Sequence, residues 1–401
     1  MKKILILGAG IYQVPLIKTA RRLGIYTVVA SIPGNYPGFE LADKVYYENT
    51  TDYAKVLSIA RREKIDGIIT TGTDVAVITI GRVCDTLGLT GLGFKSAEIA
   101  TDKLLMKSCY EKYGVRTAKF RKISFDEENY EELIRDLDLP VMFKSVDSSG
   151  SRGISKVNSA DEFENARNRV LENTRSNYFI VEEYIEGEEF GAQAFVKDGE
   201  VKFILPHGDY VFKGDTGVPV GHFAPYELSP EVEEDARSQL RLAIKAMGLN
   251  NCAINADFIM KEGKTYVLEI GGRSGATCLA ELVSIYYGYD YYEKILRTAL
   301  GEDVDFSAAD GSPAEGYRGV PNASMLLMSD KDGVILSQEN RNDPDDPDII
   351  DVQFDFKPGD EVHKFKVGPH RIGHVITKGA TLEEAVDKLH EALDNIKIEV
   401  E

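Results

Sequence analysis

Two carboxylates twelve residues apart carry the first chemical signal in this sequence. Asp257 interrupts the apolar run Ile254-Asn255-Ala256-Asp257-Phe258-Ile259-Met260. Glu269 lies in Thr265-Tyr266-Val267-Leu268-Glu269-Ile270, and Lys261-Glu262-Gly263-Lys264 turns between them. Alternate side chains of a strand share a face. Pairing about Gly263 therefore puts Asp257 opposite Glu269 on one face, and Phe258, Met260, Leu268 and Ile270 on the other. Like charges so opposed destabilise a sheet. A divalent cation reverses the sign, and hard Mg²⁺ takes such oxygens together with substrate phosphates. The hairpin points to chemistry on a nucleoside triphosphate. It also sets a geometric condition. A plain two-residue turn at Glu262-Gly263 would put the two acids on opposite faces unless a bulge restores the register.

Other residues fit the same chemistry. Lys144 ends the apolar strand Val141–Lys144 and precedes Ser145-Val146-Asp147-Ser148-Ser149-Gly150-Ser151-Arg152-Gly153. A loop of Gly and Ser offers free N–H groups and hydroxyls to phosphate oxygens, and equally makes ordinary hairpin turns. It is not a GxxxxGK[ST] loop, because its lysine comes first. Glu182-Glu183-Tyr184-Ile185-Glu186-Gly187-Glu188-Glu189 reads as a solvated hairpin or as a hinge that holds a purine edge and a ribose. Arg273 follows Glu269 after two glycines and suits forked bonding to phosphate or a developing oxyanion. Lys103 alone would be a solvated helix lysine. Lys213 and His222 lie in a polar, glycine-rich segment.

The elements that must position these residues alternate at first. Lys3–Leu7 reads as a strand, Gln13–Leu23 as a helix, Thr27–Ala30 as a strand, Tyr53–Lys64 as a helix and Gly67–Thr71 as a buried strand. This is a βαβ pattern with a parallel sheet. Gly8-Ala9-Gly10 sits where a dinucleotide would bind. However, the third glycine is Gln13, and Ala30-Ser31 supplies no acid for a ribose, so a tight turn is the better reading. Farther on, 98–113 and Asp126–Leu137 read as helices, Val141–Lys144, Ile154–Val157 and Tyr178–Glu183 as strands. Gly191–Val196 and Val201–Leu205 form a hairpin, and Pro230–Met247 is an amphipathic helix before the Asp257/Glu269 hairpin. Asn340–Asp351 reads as an exposed acidic loop and Leu382–Ile396 as a closing helix.

At 401 residues the chain exceeds one ordinary domain. It is 43% hydrophobic and 28% charged, as globular proteins are, and holds no apolar run that would span a bilayer. The net charge of −19 repels nucleic acid and anionic membranes, so neither is an expected partner. Any phosphate site must gather its own Lys and Arg. Cys84, Cys109, Cys252 and Cys278 lack ligand spacing and read as reduced thiols of a cytoplasmic protein.

The ordered set Lys103, Lys144 with its loop, Glu182–Glu189, Asp257, Glu269 and Arg273 resembles the ATP-grasp superfamily. The likeness runs from residue 1 to about 300 and extends through Arg371-Ile372-Gly373-His374-Val375-Ile376-Thr377-Lys378-Gly379-Ala380-Thr381-Leu382-Glu383-Glu384-Ala385. That last stretch is similar to the C-terminal portion of the carboxylase, purine-biosynthesis and L-amino-acid ligase branches, and the chain as a whole resembles the L-amino-acid ligase and carbamoyl-phosphate synthetase large-chain-like branch. The resemblance implies an α/β fold: an N-terminal Rossmann-like sheet (1–95), a two-lobed ATP-grasp domain (96–300, small lobe about 115–185) and a C-terminal lobe with a mixed sheet (301–401). It implies ATP contacts from Lys103, Lys144, Ser148, Ser149, Gly150, Ser151 and Gly153, a hinge at Glu182, Glu183 and Ile185, and a ribose acid at Glu189. Asp257 and Glu269 would bridge Mg²⁺ or Mn²⁺, with Arg273 and Lys144 at the reacting phosphoryl group. Gly271 departs from the family, which commonly has Asn two residues after the second metal acid.

The implied reaction is an ADP-forming carboxylate–amine ligation through an acylphosphate, with small-molecule acids and amines as partners and a homodimer among the assemblies it allows. Lys213, His222, Arg273, Ser274 and Gly275 are the acceptor-site candidates. The alternatives are a bicarbonate-activating enzyme of the carbamoyl-phosphate-synthetase or biotin-carboxylase kind, a nucleotide-binding protein without turnover, and, more distantly, a dehydrogenase resting on Gly8 and Gly10.

Overall fold

The computed structural model describes residues 1–148, 150, 152–213 and 217–401, and at Tyr130 the backbone alone. Ser149 and Ser151 lie outside the described residues. The first strands are short and apolar on both faces, as a parallel sheet demands. Lys44–Tyr47, Tyr26–Ser31, Lys3–Leu7 and Gly67–Ile69 pair in that order, all parallel. Helix Val14–Arg22 follows the first strand, with a proline in its first turn, and Tyr53–Glu63 starts on an Asp52 cap. The glycine turn is filled by the chain itself. Gln13 folds back, accepts from Gly10 N at 3.0 Å and donates to Thr71 O at 2.5 Å.

The expected helix over 98–113 is two helices, Phe94–Thr101 and Lys103–Tyr113. Asp102 breaks it. Its backbone is extended, and its carboxylate caps Leu104 N and Leu105 N at 2.8 and 3.0 Å, a stronger local preference than a helix interior offers it. The cap puts Lys103 in the first turn and Lys107 one turn later on the same face. Of the expected helix Asp126–Leu137 only Tyr130–Leu133 forms. Asp136 and Asp138 sit where a helix C-terminus repels acids.

Phe120–Ser124, Tyr178–Glu183, Val141–Lys144 and Ile154–Val157 make a small antiparallel sheet in that order. It packs on Phe163–Leu171 through Phe143, Phe163, Phe179 and Val170. Opposite it lies an eight-stranded antiparallel sheet. Its order is Lys264–Gly271, Cys252–Lys261, Glu188–Lys197, Glu200–Val211, Pro219–Ala224, Asn322–Leu327, Gly373–Lys378 and Ile349–Phe354. The last three strands come from beyond residue 300. The sheet expected there as mixed is antiparallel in its strands and continues the large one, and Glu361–Val362, Gly333–Asn340 and Ile396–Val400 form a separate antiparallel set. The closing helix is Leu382–Asp394, begun by a Thr381/Glu384 capping box. Among the described residues no helix is long and apolar enough to cross a membrane.

Candidate active site

A cleft of about 1480 Å³ runs between the small sheet, the large sheet and the loops of the parallel sheet. The Asp257/Glu269 hairpin forms its floor. Glu262 and Gly263 take positive φ of 52° and 72° and make a two-residue turn, so Lys261 pairs with Lys264 and Phe258 with Val267. That register alone would separate the acids. It shifts between Asp257 and Phe258, and Asp257 then pairs with Glu269. Leu268 is the extra residue. It leaves the face of Phe258, where pairing about Gly263 would put it. It lines the cleft and packs near Ala118, Ile185 and Ile259, while Val267 takes the core position opposite Phe258. The bulge meets the geometric condition. Burial and then the facing Glu269 push the Asp257 carboxyl up to about 7. Two opposed carboxylates beside a lysine-rich cleft wall are a donor set that fits a hard divalent cation.

Positive charge gathers on the wall above. Lys103 lies 3.2 Å from Glu269 Oε1 and donates to Ser148 O at 2.8 Å. Lys144 donates to Glu182 Oε2 at 2.7 Å. Glu182 is buried with 1% exposure and also faces Lys107 at 3.2 Å. Burial raises the acid's pKa, but the two ammoniums outweigh it and hold Glu182 below the usual carboxylate range. The Glu182 side chain is thus committed to lysines and not directed at a hinge. The Glu183 carboxylate accepts from Lys119 N at 2.9 Å, and Glu183 N donates back to Lys119 O at 3.0 Å. Ile185 is buried against Ala118 and Ile259, and exposed Glu189 lines the cleft.

The loop after Lys144 is tied at its base. Ser145 N donates to Gly153 O at 3.0 Å and Ser145 Oγ to Arg152 O at 2.9 Å, and Ser148 Oγ donates to Asn173 O. Gly153 has φ +67°, and a Cβ there would come within 2.8 Å of Ser145 Oγ and Asn173 Cβ. Gly150 and Arg152 line the cleft.

Arg273 lies at the other end of the floor, and its partner is Asp74, from the loop after strand Gly67–Ile69. The pair is bidentate, at 2.8 and 2.7 Å. Asp74 closes the stretch Thr71-Gly72-Thr73-Asp74, where nothing local marks it as a partner of Arg273. Gly271 has a physical reason. A Cβ there would lie 3.2 Å from Asp74 Oδ1 and 3.6 Å from Arg273 Cζ, so the arginine–aspartate pair occupies the space of a longer side chain. The residue paired across the ladder from Gly271 is Asn255. Its orientation is fixed in sequence. Gly275 N donates to Gln193 Oε1 at 2.9 Å, Gln193 Nε2 donates to Asn255 Oδ1 at 2.6 Å, and Asn255 Nδ2 is left facing Asp257 Oδ1 at 3.4 Å. An amide therefore stands beside the acid pair, but as a donor and from the opposite strand. Ser274 and Gly275 lie beneath the cleft surface, where Ser274 O accepts from Gly72 N at 3.3 Å. They join the hairpin to the parallel sheet, and the cleft lining passes to Ala276 and Thr277.

His222 belongs to a cluster. Asp209 Oδ1 lies 2.9 Å from His207 Nδ1 and 2.6 Å from His222 Nδ1, and Asp209 and His222 are paired across their strands. These three could hold a metal ion, but separations this short are hydrogen bonds. Tetrahedral zinc ligands about 2.1 Å from the ion stand about 3.4 Å apart. Burial raises Asp209, yet His222 and His207 hold it strongly lowered. Burial lowers His222 more than Asp209 raises it. Gly191, opposite His207, makes room for its ring, since a Cβ there would lie 2.2 Å from its Cε1. Lys213 is exposed and does not line the cleft.

The comparisons with known proteins agree with this architecture. Residues 137–281 match the ATP-grasp domain, and residues 325–401 match L-amino acid ligase C-terminal domain 2. A phosphoribosylglycinamide synthetase structure from Anaerococcus prevotii is 35% identical, with both chains covered over 100% and a TM-score of 0.84. The alanine–anticapsin ligase of Bacillus subtilis (strain 168) is 23% identical over 67% of this chain and 62% of its own length. The carbamoyl phosphate synthase large chain of Clostridium perfringens (strain 13 / Type A) is 25% identical over 76% of this chain. The chain spans less than two thirds of these curated relatives, 62% of the first and 29% of the second. The chain belongs to the ATP-grasp family.

Proposed function

We propose that this chain is an ATP-dependent, ADP-forming ligase that joins a carboxylate to an amine. The observation that carries the reading is the bulge-corrected Asp257–Glu269 pair, which lies in one cleft with Lys103, Lys144 and Arg273. Phosphoryl transfer needs positioning and charge neutralisation more than a protein nucleophile. In an acidic chain these cations are gathered on one cleft. Asp257 and Glu269 would hold Mg²⁺ or Mn²⁺, which when bound would neutralise phosphate charge. Lys103 and Lys144 bind the phosphates, the stretch from Glu183 to Glu189 holds the nucleoside, and Arg273 stabilises charge on the transferring group.

In the first step a carboxylate oxygen of the substrate bonds to the γ-phosphorus of ATP, and the bond to the bridging oxygen breaks to release ADP. In the second, the amine lone pair attacks the acyl carbon, the bond to phosphate breaks, and the ammonium proton passes to solvent. Residues 1–95, 96–300 and 301–401 divide this work. The parallel-sheet loops and Val367–Pro369 close the acceptor end, and Arg371, held by Asp355 at 2.8 Å, supports that wall beside Tyr12.

Amino acids are the acid and amine class we favour, because the match over 325–401 is to an L-amino acid ligase domain. The test is a screen of amino-acid pairs for nucleotide turnover. Release of ADP and phosphate with an amide product is expected. Release of AMP and pyrophosphate would sink the acylphosphate mechanism. Turnover with bicarbonate alone would move the chain to the carboxylating branch.

A further inference from the structure

Lys107 is a lysine that the mechanism above does not use. It does not line the cleft. It is 1% exposed, one helical turn after Lys103, and no sequence motif singles it out. A buried ammonium is costly unless it is paired and hydrogen-bonded. Lys107 meets both conditions. Its Nζ lies 3.2 Å from Glu182 Oε1 and donates to Thr117 Oγ1 at 2.7 Å, and Thr117 Oγ1 donates in turn to Val267 O at 2.6 Å. The other oxygen of Glu182 accepts from Lys144 at 2.7 Å. Glu182 is thus a buried carboxylate held between two lysines, one behind the wall and one on it.

The charge count of this triad is what matters. Lys144 and Glu182 alone would be a closed, neutral pair, with little pull on an anion. With Lys107 there are two ammoniums against one carboxylate. The triad then carries one net positive charge, and Lys144 is its ammonium that lines the cleft. Burial pulls the Lys107 pKa down to about 8, which leaves the group charged at neutral pH.

We propose that Lys107 is a positioning residue of the nucleotide site: it neutralises Glu182 from behind, so that Lys144 keeps a net positive charge toward the phosphates of ATP. The proposal rests on the ligase reading and deepens it. Its arithmetic makes a prediction that packing does not. Removing Lys107 should weaken ATP binding. Removing the Glu182 charge as well should restore it.

The experiment titrates MgATP and adenosine by calorimetry into the full chain and its variants, with thermal melts as a folding control. Lys107→Met should weaken MgATP about tenfold or more and adenosine less than about twofold, because the lost charge acts on phosphate. Lys107→Arg, which keeps the charge, should stay near the wild type. The double variant Lys107→Met/Glu182→Gln should bind MgATP within about threefold of the wild type. Equal weakening of MgATP and adenosine, or a double variant no better than Lys107→Met, would overturn the proposal. If Lys107→Met does not fold, the double variant against the wild type decides the matter on the same threshold. A wild type that binds no MgATP would overturn the ligase reading itself, and the role of Lys107 with it.

Discussion

The two ends of the cleft are built by different means. At the nucleotide end every charged group comes from the stretch between Lys103 and Glu269, and each contact spans neighbouring elements: Lys103 to Glu269, Lys144 and Lys107 to Glu182. At the acceptor end the pieces come from distant parts of the chain. Asp74 from the parallel sheet grips Arg273, His207 and His222 share Asp209, and Val367–Pro369 arrive from beyond residue 300. The first end depends on charge balance within one structural unit. The second depends on how three parts of the chain are held together. Damage at the first should remove phosphate chemistry outright, and damage at the second should detune the fit of the reacting groups.

The largest expected effect tests the floor itself. Asp257→Asn or Glu269→Gln should cut ADP release roughly a thousandfold or more while the protein still folds and melts cooperatively, since phosphoryl transfer leans on the cation these acids would hold. Unchanged turnover in either variant would remove the metal assignment. A smaller effect should follow at the other end. Asp74→Asn frees Arg273 from its bidentate hold and should lower kcat roughly tenfold to a hundredfold, with KM for ATP nearly unmoved. A shift confined to KM for ATP would place Arg273 at the nucleotide end and blur the contrast. Smaller still, Asp209→Asn should leave His222 without its fixed partner and raise KM for the amine roughly tenfold. No change there would make the histidine cluster a structural network only.

The same contrast explains what could be read in the sequence. The strands and helices of the parallel sheet follow apolar runs and glycine stops, and the residues Lys144, Asp257, Glu269 and Arg273 stand out because each interrupts or ends a patterned stretch. The bulge is legible only as a condition: a two-residue turn requires one if Asp257 and Glu269 are to share a face, whereas its place at Leu268 leaves no mark in the sequence. Lys107 was not legible, because a lysine in a helix reads as solvated until its burial is known. Asp74 was not legible as a partner, since nothing local records a contact to a residue almost two hundred positions away. The Asp102 cap was missed because apolar residues continue on both sides of it. The strands after residue 300 are not legible one by one: Asn340–Asp351 reads as an acidic loop, yet Ile349–Phe354 is a strand of the large sheet, and pairing across so much chain leaves no local mark.

The smallest effect concerns stability and separates the floor's electrostatic cost from its use. The Asp257 carboxyl is raised to about 7 by burial and by Glu269, against about 3.9 in an unfolded chain. The folded protein therefore holds more protons than the unfolded one between those values. Its stability without metal should fall as the pH rises from about 4 through about 7. Asp257→Asn removes that titration. In chelator at pH 8 the variant should melt about 2 °C or more above the wild type, and near pH 4 the two should converge. Added Mg²⁺ or Mn²⁺ should raise the wild type and not the variant, because only the wild type presents two carboxylates to the ion. A wild type that is the more stable of the two at pH 8 in chelator would mean that the facing acids cost nothing. The hairpin could then no longer be read as strain held for a cation.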